Sequence, residues 1–146
     1  MKDQVTVRSE RLDAPTYIEF LSRTDLGSQY PQERFAERIG RLVRHADISL
    51  TARDGAGKLI GVCFGLTDFA YWLFISDLGV DRAWIHRGVG ARLLQAAMTE
   101  AGGEHDIVMY TCANEDAVGF YEKQGMTRST DVMEYNRVDW TPFTVK

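Results

Sequence analysis

The sequence predicts a mixed α/β domain, a central mixed sheet of six to seven strands with about four flanking helices. Three observations predict it. Apolar periodicity switches along the chain in the order strand, helix, helix, strand, strand, strand, helix, strand, helix, strand. A long aromatic-rich strand-like run, Tyr71 to Val80, is followed by a short glycine-bearing loop and then a helix-like pattern. The length of 146 residues and the hydrophobic fraction of 45 % suit one core. There is no repeat, low-complexity tract or composition break, so residues 1–146 are expected to form one domain.

The elements follow in order. Val5 and Val7 alternate with polar residues and suggest a first strand. Asp13 can cap a helix with Pro15 in its first turn, and Tyr17, Phe20 and Leu21 share a face. Asp25 to Tyr30 reads as a loop. Pro31 is expected to open a second helix, with Phe35, Ile39, Leu42 and Val43 as its apolar stripe. Arg34, Arg38 and Arg41 lie on its other faces, where solvation explains them. Asp47 to Arg53 alternates as a strand, residues 54–57 form a turn, and Lys58 to Leu66 returns. Residues 67–70 connect to the central strand. The helix after the glycines runs to about Ala101 and ends at Gly102 and Gly103. Ile107 to Cys112 is a buried strand. A last helix starts after Asn114 and stops at Gly125. Thr127 to Val138 is expected to supply one or two closing strands. The tail after it packs on the domain or, in a homodimer, on a partner chain.

Composition excludes several classes. The formal net charge is −4, against the basic excess of a nucleic-acid binder. The N-terminus is too polar for a signal peptide, and no apolar run approaches the ~18 residues of a membrane span. A soluble, cytoplasmic protein that binds neither membrane nor nucleic acid is the expectation. Cys63 and Cys112 lie in apolar runs and read as two buried free thiols. His45, His86 and His105 are dispersed, so no metal is expected.

The loop carries the first functional signal. Gly88 and Gly90 stand between a strand and a helix, where the first helical N–H groups lack internal partners and carry partial positive charge. Such a turn can seat a phosphate or diphosphate, although an ordinary tight turn uses glycine in the same way. No Lys-Ser or Lys-Thr follows, which excludes the Walker pattern. A Rossmann turn would need its third glycine at Leu93 and would follow the first strand of the domain.

The second signal is the run from Asn114, N-E-D-A-V-G-F-Y-E-K-Q-G-M. Together the two segments resemble the GNAT acetyltransferase superfamily. Its long motif reads R/Q-x-x-G-x-G/A after a strand ending in Val, and its later motif reads N-x-x-A-x-x-F-Y-x-K-x-G-F. Asn114, Ala117, Phe120, Tyr121, Lys123 and Gly125 match the later motif, with Met126 in place of the last Phe. The resemblance spans about Lys58 to Met126. Ile85 departs from the leading Arg or Gln, and Arg87 lies two places on.

The resemblance implies an acyl-CoA N-acyltransferase fold whose fourth and fifth strands splay apart, with acetyl-CoA as co-substrate. It also implies acetyl transfer to a primary amine of a small molecule or peptide, by direct attack on the thioester in a ternary complex. Backbone groups at Leu78, Gly79 and Val80 would meet the pantetheine arm. The diphosphate would rest on Ile85, His86, Arg87, Gly88, Val89, Gly90 and Ala91. Asn114, Phe120 and Lys123 would complete the coenzyme site; Asn114 is also a helix cap, and Phe120 also reads as core. A bulge near Gly79 would open the gap, or else glycine there serves packing. Tyr121 falls where the family places its general acid. Asp77 is the expected base, or instead pins a loop; Asp68 is a second candidate. Tyr30, Phe35, Phe69 and Tyr71, with Trp72 beside them, would line the acceptor site, unless they are core. The negative net charge favours a cationic amine.

Two other readings compete with the transferase. One is a non-catalytic acyl-CoA-binding sensor or interaction module, suggested by Ile85 and by the open choice of base. The other is a pure interaction domain, in which the central strands would be fully hydrogen-bonded.

Overall fold

The computed structural model describes residues 4–141 and 143–146. Five strands form one sheet in the order β1-β2-β3-β4-β5. They are β1 (Thr6–Ser9), β2 (Ile48–Arg53), β3 (Leu59–Thr67), β4 (Trp72–Val80) and β5 (Val108–Thr111). The first four pair antiparallel, and β4 with β5 is parallel. Among the described residues, four α-helices flank the sheet: α1 (Ala14–Leu21), α2 (Phe35–His45), α3 (Val89–Ala101) and α4 (Glu115–Lys123).

Local chemistry sets the helix ends. Asp13 accepts from the Thr16 N–H at 2.9 Å and caps α1. Asn114 accepts from the Ala117 N–H at 2.9 Å and caps α4. Gly88 precedes α3 at φ +81°, a left-handed conformation that glycine adopts without strain. Helix α2 starts at Phe35, not at Pro31. The Arg34 backbone is left-handed at φ +52°, which interrupts any helix drawn through it from the proline. Within the stretch expected as a loop, Asp25–Ser28 makes a turn of 3-10 helix, capped by the Thr24 hydroxyl.

Each sheet face buries its own core. Leu93, Leu94 and Ala97 of α3 close on Ile48, Leu50, Leu73 and Ile75. Tyr17, Phe20, Ile39 and Val43 of α1 and α2 close on Val62 and Phe64 from the other side. Each such side chain contributes about 1.5–3 kcal/mol by leaving water. Phe120, Tyr121 and Met126 join the α3 side, so α4 is held by its apolar stripe.

A β-bulge in β4 decides which face Asp77 takes. Phe64 pairs with Asp77 and Gly65 with Ile75, so Ser76 is the extra residue. An extra residue reverses the alternation of side chains beyond it. Leu73 and Ile75 face α3, whereas Asp77 faces Tyr17 of α1. The bulge is therefore at Ser76 and not near Gly79. A Cβ on Gly79 would stand 2.5 Å from Leu26 Cδ1, so glycine there makes room for packing.

Two further expectations are corrected. The sheet has five strands, because Thr127–Val138 forms none. Neither alternate face of that stretch is uniformly apolar: Val132, Glu134, Asn136 and Val138 fall on one, Met133, Tyr135 and Arg137 on the other. The C-terminal residues pack on their own domain, with Phe143 against Phe35 and Val145 buried beside Gly27. Cys112 is exposed, because it follows the last residue of β5, while Cys63 is buried and its thiol is pushed up to about 12 by desolvation. Among the described residues, no helix is long and apolar enough to cross a membrane, and no group of His, Cys, Asp or Glu is placed to hold a metal ion.

Candidate active site

The parallel ladder stops short of the end of β4. Trp72 to Ile75 pair with Val108 to Thr111, and there the ladder stops. Residues Ser76 to Val80 continue β4 with no partner on the β5 side. The Thr111 hydroxyl donates to the Ile75 carbonyl at 3.0 Å, the last link across the gap. Backbone groups left beside such a gap need partners from elsewhere.

The glycine loop stands at the open end. A short 3-10 turn, Arg82–Trp84, leads into it from Asp81, whose carboxylate accepts from Ala83 N–H and pairs with Arg23. His86 is exposed with φ +63°, and Gly88 follows at φ +81°. Two left-handed residues among the three before Val89 turn the chain into α3. Arg92 N–H makes an intrahelical bond to the Gly88 carbonyl at 3.1 Å; the N–H groups of Val89, Gly90 and Ala91 precede it at the positive end of the helix. A Cβ at Gly88 would meet nothing within 4 Å, so that side of the loop is open. Arg87 lies over the Trp84 ring at 4.9 Å, and Ile85 is exposed.

The α4 residues converge on this end. Phe120 packs on Gly90, which also lies against Val80, and Tyr121 stands edge-on to Phe120 with ring centroids 5.1 Å apart. Burial raises the Tyr121 pKa, and a hydrogen bond with Thr111 opposes the rise. Its phenol therefore keeps its proton at neutral pH. Lys123, at the last turn of α4, lines a shallow cavity with Ala91, Arg92 and Met98.

Asp77 is 2 % exposed and lies on the α1 side of the sheet. The Tyr17 hydroxyl donates to its Oδ2 at 2.9 Å, and Ser76 Oγ donates to Oδ1 at 2.8 Å. Burial raises its pKa to about 6, against the lowering effect of the Tyr17 bond. Tyr17, fully buried beside that charge, is shifted well upward by desolvation first and by Asp77 second. The loop-pinning role belongs to other residues: Asp68 accepts from the N–H groups of Ala70, Tyr71 and Trp72, and Asp47 from that of Thr67. Those bonds hold the exposed Asp68 carboxyl below its usual range, which makes it a poor base.

Of the acceptor residues expected from sequence, Tyr30 and Phe35 come together. They line a groove of about 720 Å³ between α2 and the segment Val138–Trp140, which Arg34, Arg38 and Arg41 also face. Phe69 and Tyr71 do not join them. Both are exposed on the connector before β4, at the far end of that strand from the glycine loop, and Trp72 stacks on Tyr110 of β5. Sequence reading missed Tyr17 as the hydrogen-bond partner of Asp77. Its helical spacing with Phe20 and Leu21 marks it as core, and its contact with Asp77 spans 60 residues.

A mixed α/β sheet with a glycine loop at the start of a helix beside the free end of β4 is the fold of an acyltransferase. The acetyltransferase (GNAT) family model matches residues 14–126, and the chain belongs to that family. It is similar to an uncharacterized N-acetyltransferase of Bacillus subtilis (strain 168), YitH, with 28 % identity over 91 residues. That match covers 62 % of this chain but only 31 % of YitH. A solved structure from Deinococcus radiodurans R1 superposes with TM-score 0.70 at 23 % identity, over 94 % of each chain. The Escherichia coli GNAT family N-acetyltransferase YhbS, solved in complex with CoA, superposes with TM-score 0.62 at 20 % identity, over 84 % of this chain and 68 % of YhbS.

Proposed function

We propose that this protein is an N-acetyltransferase that moves the acetyl group of acetyl-CoA to a primary amine, by direct attack on the thioester in a ternary complex. The observation that carries this reading is the ladder ending at Ile75 and Thr111, with Ser76–Val80 unpaired on the β5 side and the first turn of α3 beside Val80. A pantetheine arm laid along Leu78, Gly79 and Val80 completes the hydrogen bonding of β4 as an added strand would. The diphosphate lies on the loop Ile85–Ala91, where backbone N–H groups and the helix end favour negative charge. Asn114, Phe120 and Lys123 bound the coenzyme on the α4 side. That YhbS, a member of the same family, was solved in complex with CoA supports CoA as the ligand.

The chemistry needs an electrophile, a neutral amine and a proton for the leaving thiolate. The amine nitrogen attacks the thioester carbon, and the developing oxyanion is met by the backbone N–H near Leu78. The C–S bond breaks, and the thiolate takes the Tyr121 phenolic proton. Phenol and thiol have comparable acidity, so that transfer faces little thermodynamic opposition. Asp77 accepts the proton lost by the amine; a carboxylate at about 6 is ionised at neutral pH, yet basic enough to hold a proton. The acceptor amine enters by the groove at Tyr30 and Phe35.

Titration calorimetry with acetyl-CoA tests the coenzyme half, and thiol release across an amine panel tests the transfer. Saturable binding with amine-dependent thiol release is the expected result. Absence of binding at millimolar acetyl-CoA would refute the reading. Binding without thiol release would favour the sensor or interaction module instead.

A further inference from the structure

Asp77 is almost fully buried, so no amine in the groove touches its carboxylate directly. Two hydroxyls bridge the distance. Tyr17 Oη donates to Asp77 Oδ2 at 2.9 Å, and Tyr30 Oη stands 3.1 Å from Tyr17 Oη. A phenol has one hydrogen. With the Tyr17 hydrogen committed to the carboxylate, the Tyr30 hydroxyl must donate to Tyr17. The Tyr30 lone pairs are then left over, on a half-buried residue that lines the groove. Every hydrogen of the chain points from the groove toward Asp77. Such an aligned chain can receive a proton at the groove end.

We propose that Tyr30 is a catalytic residue that takes the proton of the attacking amine, and that Tyr17 relays it to Asp77. This rests on the transferase reading above and adds the route of the proton. As the C–N bond forms, the ammonium proton passes to Tyr30 Oη. The Tyr30 hydrogen moves to Tyr17 Oη, and the Tyr17 hydrogen to Asp77 Oδ2. Both phenols end neutral, with their hydrogen bonds reversed, and the carboxylate ends protonated. No free tyrosinate forms, which agrees with a site where burial opposes charge on Tyr17. The Ser76 hydroxyl holds Oδ1, the other carboxylate oxygen, so Oδ2 is the one presented to the relay. Tyr17 and Asp77 face each other inside the sheet–helix core with the buried Cys63 near Tyr17, and Tyr30 faces the groove with Glu33, Arg34, Arg38, Arg41, His45 and Asp139.

The test is the pH dependence of acetyl transfer in Tyr30→Phe and Tyr17→Phe, with acetyl-CoA affinity measured by calorimetry on the same samples. Tyr30→Phe should lower kcat at least 10-fold and abolish the acid limb of the pH–rate profile, the fall in rate as Asp77 is protonated, with coenzyme affinity within 2-fold of wild type. Tyr17→Phe should do the same. Should it fail to fold, Tyr30→Phe, on a half-buried residue, decides the matter alone. A Tyr30→Phe enzyme with wild-type kcat and an unshifted acid limb would overturn the relay and leave the transferase reading standing. A Tyr30→Phe enzyme altered in KM alone would also overturn it, making Tyr30 a wall of the acceptor site. Wild-type protein that binds acetyl-CoA but releases no thiol with any amine would remove both.

Discussion

Gly90 and Phe120 touch where the glycine loop meets α4: a Cβ on Gly90 would lie 3.2 Å from Phe120 Cζ and 3.3 Å from Cε1. That contact joins the two segments on which the family resemblance rests. The absent side chain at Gly90 lets the Phe120 ring close on the first turn of α3, and Tyr121 is positioned through the same helix. Gly88 is needed for a different reason, its left-handed backbone.

Gly90→Ala should therefore separate stability from binding. The new methyl group is tighter against Phe120 than ordinary packing allows, whereas Ala gains up to about 1 kcal/mol of helix propensity over Gly. The two effects oppose, and the midpoint of urea unfolding should change by the equivalent of about 1 kcal/mol or less. Acetyl-CoA affinity should fall several-fold as α4 is displaced, measured by calorimetry. An unaltered affinity would show that Phe120 does not help form the coenzyme site.

Asp77→Asn should stabilise the protein while disabling it. The folded carboxyl titrates at about 6 and the ordinary one at 3.8, so between those values the folded state holds the extra proton. The stability this provides is complete below 3.8 and is lost as pH rises through about 6, up to about 3 kcal/mol in all. Asparagine fits the same site without charge and accepts the Tyr17 bond. The variant should melt above wild type at pH 7 and converge with it near about pH 4, while transfer falls roughly 10²-fold. Thermal melts across pH, set beside thiol-release rates, check both halves.

Tyr121→Phe should lower kcat by roughly 10²-fold with acetyl-CoA affinity nearly unchanged. The ring keeps its packing on Phe120, and only the hydroxyl near Thr111 is lost. Steady-state kinetics with calorimetry give the split. Equal loss in both quantities would make Tyr121 a binding residue.

Glu10→Gln tests the acid stability of the first strand pair. Arg53 donates to both Glu10 oxygens, at 3.0 and 2.7 Å, and Thr51 adds a bond at 2.6 Å. The Arg53 bond is the largest cause holding the Glu10 carboxyl down at about 2. Its contribution is present above the ordinary 4.5 and is lost as pH falls through about 2. With solvent screening at this partly exposed pair, the variant should lose about 1 kcal/mol at pH 7 and match wild type near about pH 2. Urea denaturation at both pH values measures it.

The legible parts of the site were those encoded within a dozen residues. Gly88 before α3 and Asn114 before α4 are local signals, because a left-handed turn and a capped helix depend on neighbours in the chain. The bulge at Ser76 has no such signal, since it arises from the register between β3 and β4. The same holds for Cys112, exposed only because β5 ends one residue earlier. Phe69 and Tyr71 carry the side chains of a pocket wall, but the direction of β4 puts them at its far end.

The sequence by itself determined the class of fold, the loop before α3, the helix bearing Tyr121 and hence the family. These follow from periodicity, capping and glycine conformation, which act over a few residues. Only the tertiary structure decided that the β4–β5 ladder ends at Ile75 and Thr111, that the sheet has five strands among the described residues, and that Tyr30, Tyr17 and Asp77 form one chain of hydrogen bonds. Those depend on strand register and on packing between distant segments. A one-residue bulge turns Asp77 from the α3 side toward Tyr17, and no local pattern records that change of face.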